Sequence, residues 1–312
     1  MRRLLFILSS AAMLSAVSCE YDFELKDMPQ EPVLCVECLP GLSDTTFVRV
    51  RVAVPVGNAD VALPDVSGAS VGFSVNGEAA EVHKCSCEDG IAVYYSLHEV
   101  ACGDVLEMSV SLEGVSPVSS NTVVPGTAPE FDVDMEVRNH DILMTVSVAD
   151  NPGEDDFYAV TVVAKERTID STRDRERFYN GKFSLTDMET YPDLSNSGVL
   201  HMDEFMSFFV FDDKNCSADG VRSIHLQGNY SRDEWFDDGQ GGKWGHGTKY
   251  LVRCSRLSAE AYRYLRSRYE VANNDLAYLG WAPGNFAYTN ISGGLGVFGG
   301  VASYSSGWLD NI

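Results

Sequence analysis

Apolar and polar residues alternate along several short stretches of this chain. Between Phe47 and Val54, residues Val48, Val50, Val52 and Val54 share one side, and Arg49 and Arg51 share the other. Phe131, Val133, Met135 and Val137 alternate with Asp132, Asp134 and Glu136, and Leu106, Met108, Val110 and Leu112 repeat the pattern. Successive side chains on a strand point to opposite faces, so this period of two predicts half-buried antiparallel strands. Less regular strands are expected at 34–39, 70–75, 92–97, 143–149, 157–164, 205–211, 223–227 and 249–254. Asn76-Gly77 and Asp89-Gly90 are tight-hairpin signals. Many short strands between Gly, Asn and Asp turns predict a mainly β chain of sandwich type.

One stretch changes period. Ser258 is a good N-cap, Glu260 falls in the first turn, and Tyr262, Leu265 and Tyr269 follow at helical spacing. Arg263, Arg266 and Arg268 occupy the later turns, where cations suit the helix dipole. A helix near 258–271 is expected, covering a sheet face or edge. Pro117, Pro125 and Pro129 lie within Ser116–Glu130, which reads as a stiff connector or an edge strand. A boundary near residue 127 follows. Residues 31–126 then match an immunoglobulin-like β-sandwich in size, and 127–312 form a second β-rich domain carrying the helix.

The first residues belong to neither domain. Arg2 and Arg3 precede an apolar run from Leu4 to Leu14, and Ala16-Val17-Ser18 leads to Cys19. The run is shorter than the roughly 20 residues needed to cross a bilayer, so 1–18 reads as a secretory signal peptide. A Cys directly after the cut reads as a lipobox, with Cys19 carrying diacylglyceryl and N-acyl chains of the palmitate type. The alternative is a plain secreted protein beginning at Cys19. Two or more acyl chains suffice for stable attachment to a lipid bilayer. Residues 19–30, with Glu20, Asp22, Glu24 and Asp27, form an acidic tether. The formal charge is −23. Residues 1–18 contribute two cations and no acid, so the remainder carries −25. Such a chain repels polyanions, which argues against nucleic-acid binding and against adhesion to anionic lipid through a basic face.

Several segments together resemble a known family. They are the lipobox Cys19 with its acidic tether, Glu31-Pro32-Val33-Leu34-Cys35-Val36-Glu37-Cys38 leading into a strand, and the Arg-containing strand 48–54. Ser67-Gly68-Ala69-Ser70-Val71-Gly72-Phe73-Ser74-Val75 follows, then Leu257-Ser258-Ala259-Glu260-Ala261-Tyr262. The closing Asn290-Ile291-Ser292-Gly293-Gly294-Leu295-Gly296-Val297-Phe298-Gly299 is the most specific piece. This resembles the Bacteroidota outer-membrane lipoprotein family known as domain of unknown function 4249, over essentially the whole chain after Cys19. The resemblance implies a lipid-anchored, cell-surface protein, with periplasm-facing attachment as the alternative. It also implies an accessory role beside a TonB-dependent outer-membrane transporter. It brings no catalytic residue and no cofactor.

The segment 233–249 reads as a long glycine-rich loop holding Trp235, Phe236, Trp244 and His246. Flat rings there could stack on a sugar ring or a peptide, so Trp235, Trp244 and His246 are the candidate ligand-binding residues. The bland reading is a connection whose tryptophans fold back onto the domain. Gly68-Ala69-Ser70-Val71-Gly72 matches G-x-S-x-G, but a nucleophile elbow needs a strand before the Ser and a helix after it. Seven cysteines remain besides Cys19, so buried thiols or one or two disulfides are expected. Cys85 or Cys87 with Cys102 and Cys216 with Cys254 are the plausible pairs. Cys35, Cys38, Cys85 and Cys87 could supply a zinc site, 213–220 a calcium loop, and His201, Asp203, Glu204, His225 and His246 a metal site. Ordinary strands and polar turns account for all three, and no metal site is expected. The glycines of 293–300 lack the Lys-Ser/Thr of a phosphate loop and read as close backbone packing. Asp44-Thr45-Thr46 and Asp170-Ser171-Thr172 resemble short O-glycosylation signals. The expectation is therefore a non-enzymatic binding or accessory lipoprotein. A structural or adhesive surface subunit is the alternative, and a hydrolase of unknown type the second.

Overall fold

In the computed structural model the described residues are 31–54, 64–150, 153, 155–170, 173–186, 194–201, 204–217, 219–230, 232–237, 243–275 and 286–310. The signal segment, Cys19 and the acidic tether lie outside them. The first half forms β1 (Val33–Cys38), β2 (Thr46–Ala53), β3 (Ser70–Val75), β4 (Glu78–Ala80), β5 (His83–Glu88), β6 (Ile91–Ser96), β7 (Val105–Leu112) and β8 (Val115–Val123). The second half forms β9 (Phe131–Arg138), β10 (Asp141–Ala149), β11 (Phe157–Ile169), β12 (Asp174–Asn180), β13 (Phe183–Leu185), β14 (Ser195–His201) and β15 (Glu204–Asp212). β16 (Val221–Asn229), β17 (Glu234–Asp237), β18 (Lys243–Leu257), helix α1 (Ala259–Ala272), β19 (Leu295–Phe298), β20 (Val301–Ser305) and β21 (Leu309–Asp310) complete it. The protein is mainly β, as the alternation predicts.

These strands make two sandwiches. One pairs a sheet ordered β19-β1-β2-β6-β5 with a sheet ordered β4-β3-β7-β8. The other pairs β13-β16-β10-β9 with β14-β15-β11-β18-β17, to which β12, β20 and β21 add. Alternation decides what is buried. Leu106, Met108 and Val110 of β7 point inward against Leu34, Val36, Val48 and Val50. Ile142, Met144, Val146 and Val148 of β10 do the same against Val160, Val162, Val252 and Phe211. Full burial of side chains of this size is worth about 1.5–3 kcal/mol each, which is what holds each pair of sheets face to face.

A third apolar cluster joins the two sandwiches. Helix α1 lays Ala261, Tyr264 and Leu265 against Phe208 and Val210 of β15, Val297 of β19, and Leu39 and Leu42 after β1. Phe157, opening β11, stacks on Tyr262 with ring centroids 4.3 Å apart. The helix begins as expected, its Ser258 side chain accepting from the Ala261 N–H. It covers two sheet faces at once, which its sequence alone does not reveal.

The chain's end departs from the simple division at residue 127. β19 pairs in parallel with β1, Cys35 opposite Leu295 and Cys38 opposite Phe298. Ile291, Phe298 and Ala302 thus enter the core of the first sandwich. Residues of the second stretch therefore complete a sheet of the first. The glycines of this segment permit the approach. A Cβ on Gly296 (φ +107°) would lie 1.9 Å from the Val36 carbonyl oxygen, and one on Gly299 would lie 2.7 Å from the Ala261 Cβ. The proline-rich stretch divides in two. β8 takes its first half as an edge strand, where the missing N–H of Pro117 is tolerated, and 124–130 is the connector.

Candidate functional site

β11 has 13 residues and β18 has 15, longer than the strands that face them. At about 3.3 Å per residue, β11 carries its Ile169 end about 40 Å from the joint at Phe157. Along that distal half, β12 pairs with β11, and β17 pairs with β18. The segment 233–249, expected as a loop, is therefore a hairpin whose described arms are paired strands. Cross-strand register Phe236↔Trp244 and Trp235↔Gly245 places the aromatics on both faces of a ribbon. Gly residues at 245 and 247 are the reason: they leave room beside β17 that a side chain would fill. A Cβ on Gly247 would lie 2.8 Å from Trp235 Cζ2.

The three candidate residues do not converge. Trp244 and His246 are two apart on β18 and share a face by alternation, while Trp235 is on the opposite face. Trp244 stacks on Phe236 with centroids 4.3 Å apart and planes at 20°. On the other face, Phe178 and Trp308 have ring centroids 6.0 Å apart. Lys165 Nζ lies 5.5 Å from the Phe178 centroid and 5.8 Å from that of Trp308, and 2.9 Å from a Glu176 carboxylate oxygen. Phe178 and Trp308 were missed in the sequence, because nothing local shows that residues 130 apart meet.

Exposure sets this end apart. Phe178 (48%), Trp235 (43%), Phe236 (46%), Trp244 (51%) and Trp308 (39%) are five of the twelve exposed large hydrophobic residues among those described. A single exposed ring is ordinary; here two lie on one face of the ribbon and three on the other. Charge is distributed unevenly too. Residues 165–182 hold six cations and four acids in a chain that otherwise carries a large negative excess.

Two buried polar clusters brace the molecule. Glu37, on the outer face of β1, accepts from Arg268 Nη1 at 2.8 Å and from the Tyr264 hydroxyl, with Arg51 Nη2 at 3.5 Å. Arg51 Nε also donates to Cys35 Sγ at 3.3 Å. Burial pushes the Cys35 thiol up, and Arg51 partly opposes it. Arg256 donates to Asp156 Oδ2 at 2.6 Å and to Thr127 Oγ1 at 2.8 Å, pinning the connector between the sandwiches. Burial raises the Asp156 carboxyl, again against the Arg256 charge. Both clusters are internal ties, since a buried charge must be paired to be tolerated.

The remaining sequence candidates resolve as strands and turns. Ser70 opens β3, so no elbow forms around it. All seven described cysteines are free thiols, which corrects the Cys85 or Cys87 with Cys102 and the Cys216 with Cys254 pairings. Cys38 and Cys254 sit within the two cores, while Cys35 faces α1. Cys85 is the bulged residue between Lys84 and Ser86 on β5. Asp213–Asn215 forms a single helical turn capped by Asp212, whose side chain accepts from the Lys214 N–H. Among the described residues no group of three or more His, Cys, Asp or Glu is placed to hold a metal ion. Met202, Asp203, Ser171 and Thr172 lie outside the described residues. Among those described, no helix is long and apolar enough to cross a membrane.

The family described as "Domain of unknown function (DUF4249)" matches residues 19–306. No curated protein matches the chain. Among solved structures, one match is described as the structure of Yersinia pseudotuberculosis adhesin InvE. Identity is 14% and the TM-score 0.20, over 72% of this chain and 55% of the adhesin chain. The chain thus spans little more than half of that adhesin, and so low a score does not equate the folds.

Proposed function

The chain belongs to the DUF4249 family over residues 19–306, and from that premise we propose that it is a lipid-anchored outer-membrane protein that binds a partner rather than transforming a substrate. Cys19 holds the acyl chains, the acidic tether lifts the body off the bilayer, and the surface face of the outer membrane is its location. The TonB-dependent outer-membrane transporter is the partner class, in cells of the Bacteroidota type. One observation carries the binding reading: five exposed aromatic rings lie at the distal end, Phe236 and Trp244 on one face of the β12, β11, β18 and β17 ribbon and Trp235, Phe178 and the adjoining Trp308 on the other. Rings offer large, stiff contact area at little entropic cost, which is why they concentrate at contact surfaces. That end is close to neutral, the cations of 165–182 being offset by Glu234 and Asp237 of β17 and paired with Glu176 and Asp174, so its rings are not screened by the strong negative charge carried elsewhere.

Affinity capture of the lipidated protein from native membranes tests this. A transporter should be recovered with the unaltered chain, and recovery should fall with a Trp235→Ser/Trp244→Ser variant. Equal recovery with that variant overturns the role of the ribbon. A mass spectrum showing an unmodified Cys19 at the amino terminus overturns the anchor.

A further inference from the structure

The outer face of the β4-β3-β7-β8 sheet carries a cleft of about 660 Å³, within the range of small-ligand sites. Its floor is a grid of small and polar residues in cross-strand register: Gly72 opposite Ser109, Ser109 opposite Ser119, and Glu107 opposite Asn121. Gly72 is what keeps the floor low, since a Cβ there would lie 2.7 Å from Ser109 Oγ. One wall is built by Glu260 at the start of α1 and by Tyr288 and Ser292 of the returning segment. Arg263 sits over the Tyr288 ring at 5.9 Å.

We propose that this cleft is a binding site for a neutral oligosaccharide, distinct from the aromatic ribbon. The chemistry of the lining selects that class. No Lys, Arg or His lines it, and Glu107 and Glu260 do, so phosphate and carboxylate ligands are repelled. Ser109, Ser119, Asn121 and Ser292 make no side-chain hydrogen bond among the described residues, leaving hydroxyls and a carboxamide to meet ligand hydroxyls. Carboxylates accept strong hydrogen bonds from hydroxyl donors, and Tyr288 adds a ring with a polar tip. An extended peptide adding to the sheet is disfavoured, because the β8 edge is already bridged here. The Ser292 N–H donates to the Ser119 carbonyl at 2.8 Å, and the Ser119 N–H returns at 3.3 Å.

The test is calorimetric titration of the purified full-length lipidated protein with maltohexaose, cellohexaose and mannohexaose. At least one should bind, and Ser109→Trp, which fills the floor from an exposed strand position, should weaken it more than about tenfold. Asn121→Ala should weaken the same ligand with the thermal midpoint unchanged, which keeps the test valid should Ser109→Trp misfold. Glu136→Gln, on the far sandwich, should bind as the unaltered protein does. Absence of binding by all three sugars, or binding that survives Asn121→Ala undiminished, overturns the proposal.

Discussion

At the scale of single residues, thiols and phenols record how dry the cores are. Burial pushes Cys38 and Cys254 far above the ordinary thiol range and lifts Tyr250 to about 12. A group whose folded value is raised is fully stabilising below its unfolded value and loses that contribution as pH climbs toward the folded one. Stability should therefore hold through neutral pH and fall above about pH 9, by up to about 1.4 kcal/mol per pH unit for each thiol. Urea unfolding between pH 8 and about 10.5 reads this slope, and a Cys38→Val/Cys254→Val variant should flatten it. Gly296 makes a sharper case. Its positive φ and the 1.9 Å approach to the Val36 carbonyl leave no room for a side chain. Gly296→Ala should cost at least about 2 kcal/mol in the same assay. The sequence marked these glycines as packing residues rather than phosphate ligands, because no Lys-Ser/Thr follows them. It could not say against which strand they pack.

At the scale of elements, legibility tracked local periodicity. β7, β9 and β10 show alternation that a core on one side imposes, and their bounds lie close to the apolar pattern. α1 announced itself by its cap and its spacing. β12 and β17 did not, because their residues are exposed on both faces and their pairing comes from neighbours. That is why 233–249 read as a loop and why Phe178 and Trp308 were overlooked. The Trp235, Trp244 and His246 trio was legible as composition, but its split across two faces depended on register. The polar cleft was invisible, since Gly72, Ser109 and Ser119 look like any exposed strand residues until the walls from α1 and the returning segment are set beside them. Two substitutions separate the helix's own stability from its role at the joint. Ser258→Ala removes the cap and should cost about 1 kcal/mol. Leu265→Ala, fully buried between the sandwiches, should cost about 2–5 kcal/mol. Thermal unfolding followed by circular dichroism should rank them in that order.

At the scale of the whole molecule, the two sandwiches share chain segments. The first sheet of the first sandwich ends in β19, drawn from about 260 residues beyond its partner β1, and its core includes Ile291 and Phe298. A fragment of residues 31–126 should therefore lack cooperative unfolding and bind hydrophobic dyes, despite having the size of an immunoglobulin-like unit. A dispersed amide spectrum from that fragment would show the returning strand to be dispensable. Parallel pairing of β1 with the distant β19 also sets an order of events. β1 keeps an open edge until β19 is in place, so the unfinished first sandwich stays exposed to stray β-pairing while the second is still unfolded. Its folding should accordingly lean on holding chaperones, and removal of β19 should be as damaging as removal of β1.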